Sequence, residues 1–320
     1  MTGHTTAGAA AMCAQVVAVV AGAPLLTGLM RQVRARMEGR AGAGVRQPWR
    51  DLRKLLRKEP ITPTGTGPAF RVAPALLVAT TAVVAALMPL ASTATPATGR
   101  SDLILVVALL ALGTVALALA GLDTGTAFGG MGASREMTVA ALVEPTILLA
   151  VFALSLPAGS TDLAAIVSAG LRDADRLASP SGLLATAALA LAVLAETGRL
   201  PVDNPTTHLE LTMVHEAMVL EYAGPDLALV ELGAQMRLAV LLGLLATLAA
   251  PWGIATTAAP LAVALAIALL AVKVAVLGAA LAAAEVCWAK LRLFRVPELL
   301  AGSLLLALLA VTSSYFLTGA

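Results

Sequence analysis

Residues 196–224 read ETGRLPVDNPTTHLELTMVHEAMVLEYAG, and this stretch decides how the whole chain is read. It is the longest polar interruption in the C-terminal two-thirds of a very apolar sequence. It carries Glu196, Asp203, Glu210, Glu216 and Glu221, with two of the three histidines, His208 and His215. One apolar run precedes it and another follows soon after. Such a segment is expected to join two membrane helices and to face an aqueous compartment or a partner subunit. The remaining chain then reads as its scaffold.

Working outward, hydrophobic residues fill 59% of the 320 positions, charged residues only 12%, and mean hydropathy is +0.90. Soluble domains average roughly 45–50% apolar and about 25% charged, so a soluble fold could not hide this surface. Apolar runs of about 20 residues recur along the chain, each long enough to cross a ~30 Å hydrocarbon core as a helix. Backbone groups in lipid must bond internally, and these runs are too long and unbroken for barrel strands. The fold class is therefore an all-α polytopic membrane protein, with residues 1–320 as a single transmembrane domain. The formal net charge of +2 decides nothing by itself. Cys13 and Cys287 lie in or near different apolar runs without a C-x-x-C pair, so no disulfide framework or iron–sulfur ligand set is readable.

Residues 7–29 form the first apolar run. A signal peptide would need basic residues before it, and residues 1–8 hold none. Arg31, Arg34, Arg36 and Arg40 come after it, which places the N-terminus outside. Residues 45–59, VRQPWRDLRKLLRKE, interleave Val45, Trp49, Leu52, Leu55 and Leu56 with six basic residues. That spacing predicts an amphipathic helix lying in the membrane interface, ended by Pro60 and Pro63; a solvated basic loop is the plainer alternative. Further spans are expected near 72–92, 102–122, 137–156, 183–198, 229–250, 259–284 and 298–317, making eight in all. Alternating the loops puts 17 of the 21 Lys and Arg on the cytoplasmic side: eleven in 31–71, one in 123–136, two in 197–237 and three in 286–297. This asymmetry predicts a multi-pass protein of the cell membrane with both termini outside.

Several soluble-enzyme motifs fail on inspection. His215-Glu216 lacks the second histidine of a zinc helix, since Val219 stands there. The glycine-rich stretch 123–132, DTGTAFGGMG, lacks the Lys-Ser/Thr of a phosphate loop; a flexible or close-packed backbone is the better reading. His208 and His215 could share a helix face, but too few ligands accompany them for a metal site. No nucleic-acid partner is expected.

Ionisable residues inside the spans say more. Glu144 lies within the fourth span, followed by Pro145, and Lys273 lies in the middle of the seventh. A charge near the bilayer centre costs at least ~2.5–3.5 kcal/mol, so such groups usually face a bundle interior or water path and carry function. Glu144 is therefore the leading candidate to take up and release a proton, with Lys273 as a nearby positive partner. Glu196 and Glu285 close two other spans, where a carboxylate is cheap. A structural ion pair, or protonation of the carboxylates, is the alternative.

At this point a resemblance emerges. Residues 196–203, ETGRLPVD, resemble the ETxRxPxD segment of the single-copy subunit that joins the membrane and peripheral arms of respiratory complex I (subunit 1). Residues 221–224, EYAG, resemble its EYSG, and Arg135 followed by Glu144 matches its R…E spacing. The basic segment and the eight-span count agree as well. Thr206 and His208 stand where complex I versions carry acidic residues, and the segment from Glu210 to Glu221 is longer here. DNPTTHLELTMVHEAMVLEY, GLDTGTAFGGMGASRE and AKLRLFRVPE are more similar to the membrane-anchor subunit of energy-converting group 4 NiFe hydrogenases, the formate hydrogenlyase type.

The resemblance implies a subunit with no redox cofactor of its own. It would hold an iron–sulfur small subunit and a hydrogenase large subunit, carrying 4Fe-4S clusters and a NiFe centre, against antiporter-like membrane subunits. Arg199, Asp203, His208, Glu210, His215, Glu216, Glu221, Asp123 and Arg135 are then the docking candidates. Glu144, Lys273, Glu196, Glu285 and Glu136 are the proton-path candidates. Redox events at the docking surface would change local charge, and nearby carboxylates would shift in response. Three other functions stay open: a quinone-reactive subunit of a true complex I, a stand-alone transporter, and a purely structural anchor. The thinned acidic cluster argues against the first. The lack of repeats and paired broken helices argues against the second. The third leaves Glu144 and Lys273 as unexplained costs.

Overall fold

Capping side chains and prolines, placed where each apolar run begins, set the helix boundaries. The computed structural model describes residues 2–173, 175–203, 213–288 and 295–318. In chain order the helices are α1 (Thr2–Met37), α2 (Gln47–Leu56), α3 (Pro68–Leu87), α4 (Leu103–Asp123), α5 (Ala127–Ser155), α6 (Leu163–Arg172), α7 (Asp175–Ala178), α8 (Pro180–Glu196), α9 (His215–Val219), α10 (Gly224–Ala249), α11 (Pro260–Cys287) and α12 (Val296–Thr318). Asp102, Thr126, Asp162 and Ser179 each accept a backbone N–H two or three positions on, starting α4, α5, α6 and α8. Proline at the first turn opens α3, α8, α10 and α11, where its missing N–H costs nothing. Two isolated β-bridges, Ser92 to Ala255 and Asp102 to Asp162, are the sole sheet-like pairings among the described residues.

Among the described residues, seven helices, α1, α3, α4, α5, α10, α11 and α12, are long and apolar enough to cross a membrane. The remaining expected span, the fifth at 183–198, is α8, whose 17 residues lie at the short end of what a bilayer requires. All eight expected spans thus appear as helices, though α5 starts ten residues before its expected boundary. The glycine stretch is therefore largely helical and close-packed: a Cβ on Gly132 would stand 2.9 Å from Ala217 Cβ and from the Val214 carbonyl oxygen. Residues 45–59 do form a helix, α2, shorter at both ends than expected. It buries Pro48 and Leu52, and Trp49 Nε1 donates to the Ala21 carbonyl (3.2 Å).

α10 is the axis of the bundle. Met236, Leu238 and Leu241 are fully buried where it packs against α1 and α3. α4 and α5 continue the layer from α3, and α12 lies across α5 and α8, with Ser314 Oγ donating to the Ala153 carbonyl (2.9 Å). α11 packs on α1 and α10 and leaves Leu261, Leu265, Leu269, Val272 and Val276 exposed. Outward leucines suit a helix surrounded by lipid, which is as apolar as they are. At one end of the bundle, the amide of Gln15 closes the C-terminus of α3. Its Nε2 donates to the Ala85 and Met88 carbonyls (2.6 and 2.7 Å), and its Oε1 accepts from Ala91 N–H (2.8 Å).

Candidate functional site

The site lies at the other end, where residues 197–203 and 213–219 pack beside α4, α5 and α10. Three internal contacts hold it there. The Tyr222 ring stacks on Phe70 (centroids 4.1 Å apart, 6° between planes), and its hydroxyl donates to the Phe70 carbonyl (2.8 Å). Burial pushes that phenol well above the usual tyrosine range, with Asp226 and Asp123 adding to the effect. Gly224 has φ +57°, which favours glycine, and a Cβ there would press on the Glu59 carbonyl oxygen at 2.6 Å. Arg135 Nη1 donates to the Met213 carbonyl (2.8 Å), tying α5 to the stretch before α9. Asp123 is also engaged internally: its Oδ2 accepts from Gly67 and Phe70 N–H (2.8 and 3.0 Å) and so caps α3.

Between these elements lies a cavity of about 360 Å³. Arg34, Glu136, Glu196, Arg199, Asp203, His215, Glu216, Glu231 and Arg237 reach it from α1, α5, α8, α9, α10 and the intervening loop. Two buried ion-pair clusters flank it. In the first, Glu285 of α11 is paired with Arg34 of α1, and Arg199 Nη1 lies 3.7 Å from Glu285 Oε1. In the second, Arg237 of α10 is paired with Glu196 at the end of α8. Arg237 Nη2 also donates to the Leu110 carbonyl (3.0 Å) and to Thr114 Oγ1 (2.5 Å), both on α4.

Glu196 and Glu285 therefore do not stand at a cheap membrane boundary, as expected from their span-end positions. Their side chains are 3% and 0% exposed, because the helix ends lie inside the protein. Each buried carboxylate has a close counter-charge, which offsets the cost of burying it. Burial lowers the Arg199 guanidinium from its ordinary value while Glu285 works to raise it; an arginine stays charged in proteins regardless. Burial likewise holds the His215 imidazole below its ordinary range, with Glu216 and Asp203 opposing.

The structure brings together Glu136, Glu196, Arg199, Asp203, His215 and Glu216 around the cavity. Asp203 is 6% exposed, in the cavity wall, whereas Glu221 is on the outer surface. His208 and Glu210 lie outside the described residues. Glu144 sits deeper on α5, and its charged neighbours are Glu196 and Arg237. Lys273 does not meet Glu144. Its ammonium donates to the Ala250 carbonyl (2.6 Å) and the Trp252 carbonyl, and lies 4.1 Å from the centre of the Trp252 ring. α11 packs on α1 and α10, so Lys273 serves the C-terminal end of α10 instead, where free carbonyls gather. The expected Glu144–Lys273 pair is corrected accordingly.

Arg237, Arg34, Glu231 and Thr114 escape a reading of the sequence alone. A signal for Arg237 is present, since it interrupts the apolar run of α10 with Gln235 and Glu231 just upstream. It reads as part of the loop flank because charge near a span end is ordinary. Among the described residues, no group of three or more His, Cys, Asp and Glu could hold a metal ion.

A helical membrane bundle with a charged cavity at one end, roofed by the segment after α8, defines a class of membrane subunit. The family model described as NADH dehydrogenase matches residues 9–315, and the chain belongs to that family. Hydrogenase-4 component C of Escherichia coli K12 is 39% identical over 243 residues, covering 76% of this chain and 75% of the relative. Formate hydrogenlyase subunit 4 of the same organism is 34% identical over 239 residues, covering 75% and 76%. NADH-quinone oxidoreductase subunit 8 of Rhodothermus marinus is 31% identical over 216 residues, covering 64% and 60%. Among solved structures, a chain of the membrane-bound sulfane sulfur reductase, an archaeal respiratory membrane complex, shares the fold with a TM-score of 0.80. Its sequence identity is 20%, and the match covers 95% of this chain and 98% of that one. The chain is accordingly a multi-pass membrane subunit of the respiratory-complex type.

Proposed function

We propose that this chain is the membrane anchor of an energy-converting hydrogenase of the formate hydrogenlyase type. It holds a peripheral NiFe hydrogenase arm and couples electron transfer to proton translocation. The higher identity to the two hydrogenase-type subunits than to the NADH-quinone oxidoreductase relative favours this reading. The observation that carries the coupling is the charged cavity, which runs from the roof residues Asp203, His215 and Glu216 down to Glu136, Glu196 and Arg237. Glu144 continues the series into the membrane. The peripheral partners are an iron–sulfur small subunit with 4Fe-4S clusters and a hydrogenase large subunit with the NiFe centre. This chain supplies no redox cofactor. Antiporter-like subunits sit beside it in the membrane, and the Arg-rich loops face the cytoplasm with both termini outside.

Glu221 is exposed beside the roof, so Glu221→Lys tests docking without disturbing the ion pairs beneath. The expected result is release of the peripheral arm from purified membranes. An arm that stays bound at normal yield in moderate salt overturns the docking surface. A second reading rests on cavity size: about 360 Å³ lies in the range of small-molecule sites. It makes the chain a quinone-reactive subunit, and labelling of the cavity wall by a photoreactive quinone would favour it.

A further inference from the structure

Arg237, Gln235 and Glu144 each hold one buried polar atom without a partner among the described residues, and those of Arg237 and Glu144 are complementary. Arg237 Nε is a donor with no acceptor; Glu144 Oε1 is an acceptor with no donor. The hydrogen bonds of the Arg237 guanidinium to Leu110, Thr114 and Glu196 all pass through Nη2. Leaving a buried donor or acceptor unsatisfied is costly, so the arrangement has a standing reason to rearrange. Glu144 is next to Pro145, whose ring takes a hydrogen bond out of the α5 ladder at that level.

The charged groups around this point are few. Around Glu196 and Arg237 stand Thr114 from α4, Glu136 and Glu144 from α5, His215 from α9 and Asp203 from the loop after α8. α12, on the other side of α8, carries a single charged residue, the exposed Glu298 in its first turn. Three carboxylates therefore share one guanidinium beside the cavity, with the Glu196 side chain buried and Glu136 and Glu144 half-buried. Their mutual repulsion in a medium of low dielectric is large, so a guanidinium can satisfy one of them well and the others less.

We propose that Arg237 is a two-position switch, paired with Glu196 in the arrangement seen here and moving to Glu144 when Glu196 becomes neutral. A proton arriving from the cavity settles on Glu196 and removes its charge. The guanidinium, still charged, then gains more from the unpartnered Glu144 oxygen than from a neutral acid. Any proton on Glu144 is displaced away from the cavity, and its departure restores the carboxylate that receives the arginine. This rests on the coupling role proposed above and assigns it a moving part.

The test is a stability cycle combined with a charge exchange, both in the assembled complex. Glu196→Gln mimics the neutral acid. On its own it should assemble with a modest fall in Tm, because Arg237 has Glu144 to turn to. Glu144→Gln on its own should change Tm little. The double variant should lose more than the two single losses added, because it leaves Arg237 with no carboxylate partner in either position. Additive losses, or a Glu196→Gln complex that fails to assemble, overturn the switch. In the exchange, Glu196→Arg with Arg237→Glu keeps the pair but removes the mobile cation facing Glu144. Assembly and electron transfer should persist while ion movement per electron falls towards zero in sealed vesicles; wild-type ion movement overturns the switch. If the unsubstituted complex moves no ions at all, the coupling role fails, and the stability cycle still decides whether Arg237 switches.

Discussion

Arg237 of α10 meets Glu196 of α8 inside the bundle, with side chains 9% and 3% exposed, and Thr114 of α4 completes the contact. Removing one member of such a pair leaves the other buried and uncompensated, at a cost of about 3–5 kcal/mol. Arg237→Met should therefore lower the yield and Tm of the assembled complex sharply, and more than Glu196→Gln does. Thermal unfolding of both variants in detergent checks this order, and the reverse order contradicts it.

Lys273 and Glu144 separate into independent roles. Glu144→Gln keeps shape and polarity, so assembly should survive while proton translocation per electron drops. Lys273→Met removes the cap on the C-terminal end of α10 and should lower stability, a cation at that position being worth typically 0.3–1 kcal/mol and up to ~2 when partly buried. The two sites share no partner, so their effects should add. Non-additive loss of Tm in the double variant would restore a direct connection between them.

His215 gives the roof a pH dependence. Burial places its folded-state pKa below the unfolded value, so the unfolded state binds the proton more tightly. Stability at this position is complete above the unfolded pKa, near 6.5. It falls as the pH drops below that value and levels off once the folded-state pKa is passed. His215→Gln should flatten this part of the Tm profile between neutral and mildly acidic pH. An unchanged slope would show that other groups produce it.

Asp123 reads from the sequence as a docking residue, and its carboxylate instead caps α3. Asp123→Ala should cost about 1 kcal/mol, the usual loss for a helix cap, while the peripheral arm stays bound. Tyr222→Phe removes the bond to the Phe70 carbonyl and should cost about 0.5–1.5 kcal/mol. Thermal unfolding and co-purification of the arm, measured on the same samples, separate the structural role from docking.

The motifs that carry the resemblance have physical tasks legible only in three dimensions. The tyrosine and glycine of EYAG lock the start of α10 against α3 and the loop before it. Arg135 holds the segment before α9 through a backbone carbonyl, a partner no sequence pattern identifies. Glu285 reads as a carboxylate at a span end, yet Arg34, 251 positions away, and Arg199 enclose it.

By itself, the sequence determined the helical membrane fold, because unbroken apolar runs have no other way to satisfy their backbone in lipid. It determined only part of where the helices begin: prolines and caps act on neighbouring residues, yet α5 begins ten residues before its expected boundary and α3 is capped by Asp123 of α4. Which charges meet was decided by tertiary structure alone. Pairing depends on helix packing and on which faces turn inward, and neither follows from the spacing along one helix. Glu196 found Arg237 rather than water, and Lys273 found the end of α10 rather than Glu144, because α10 passes through the middle of the bundle.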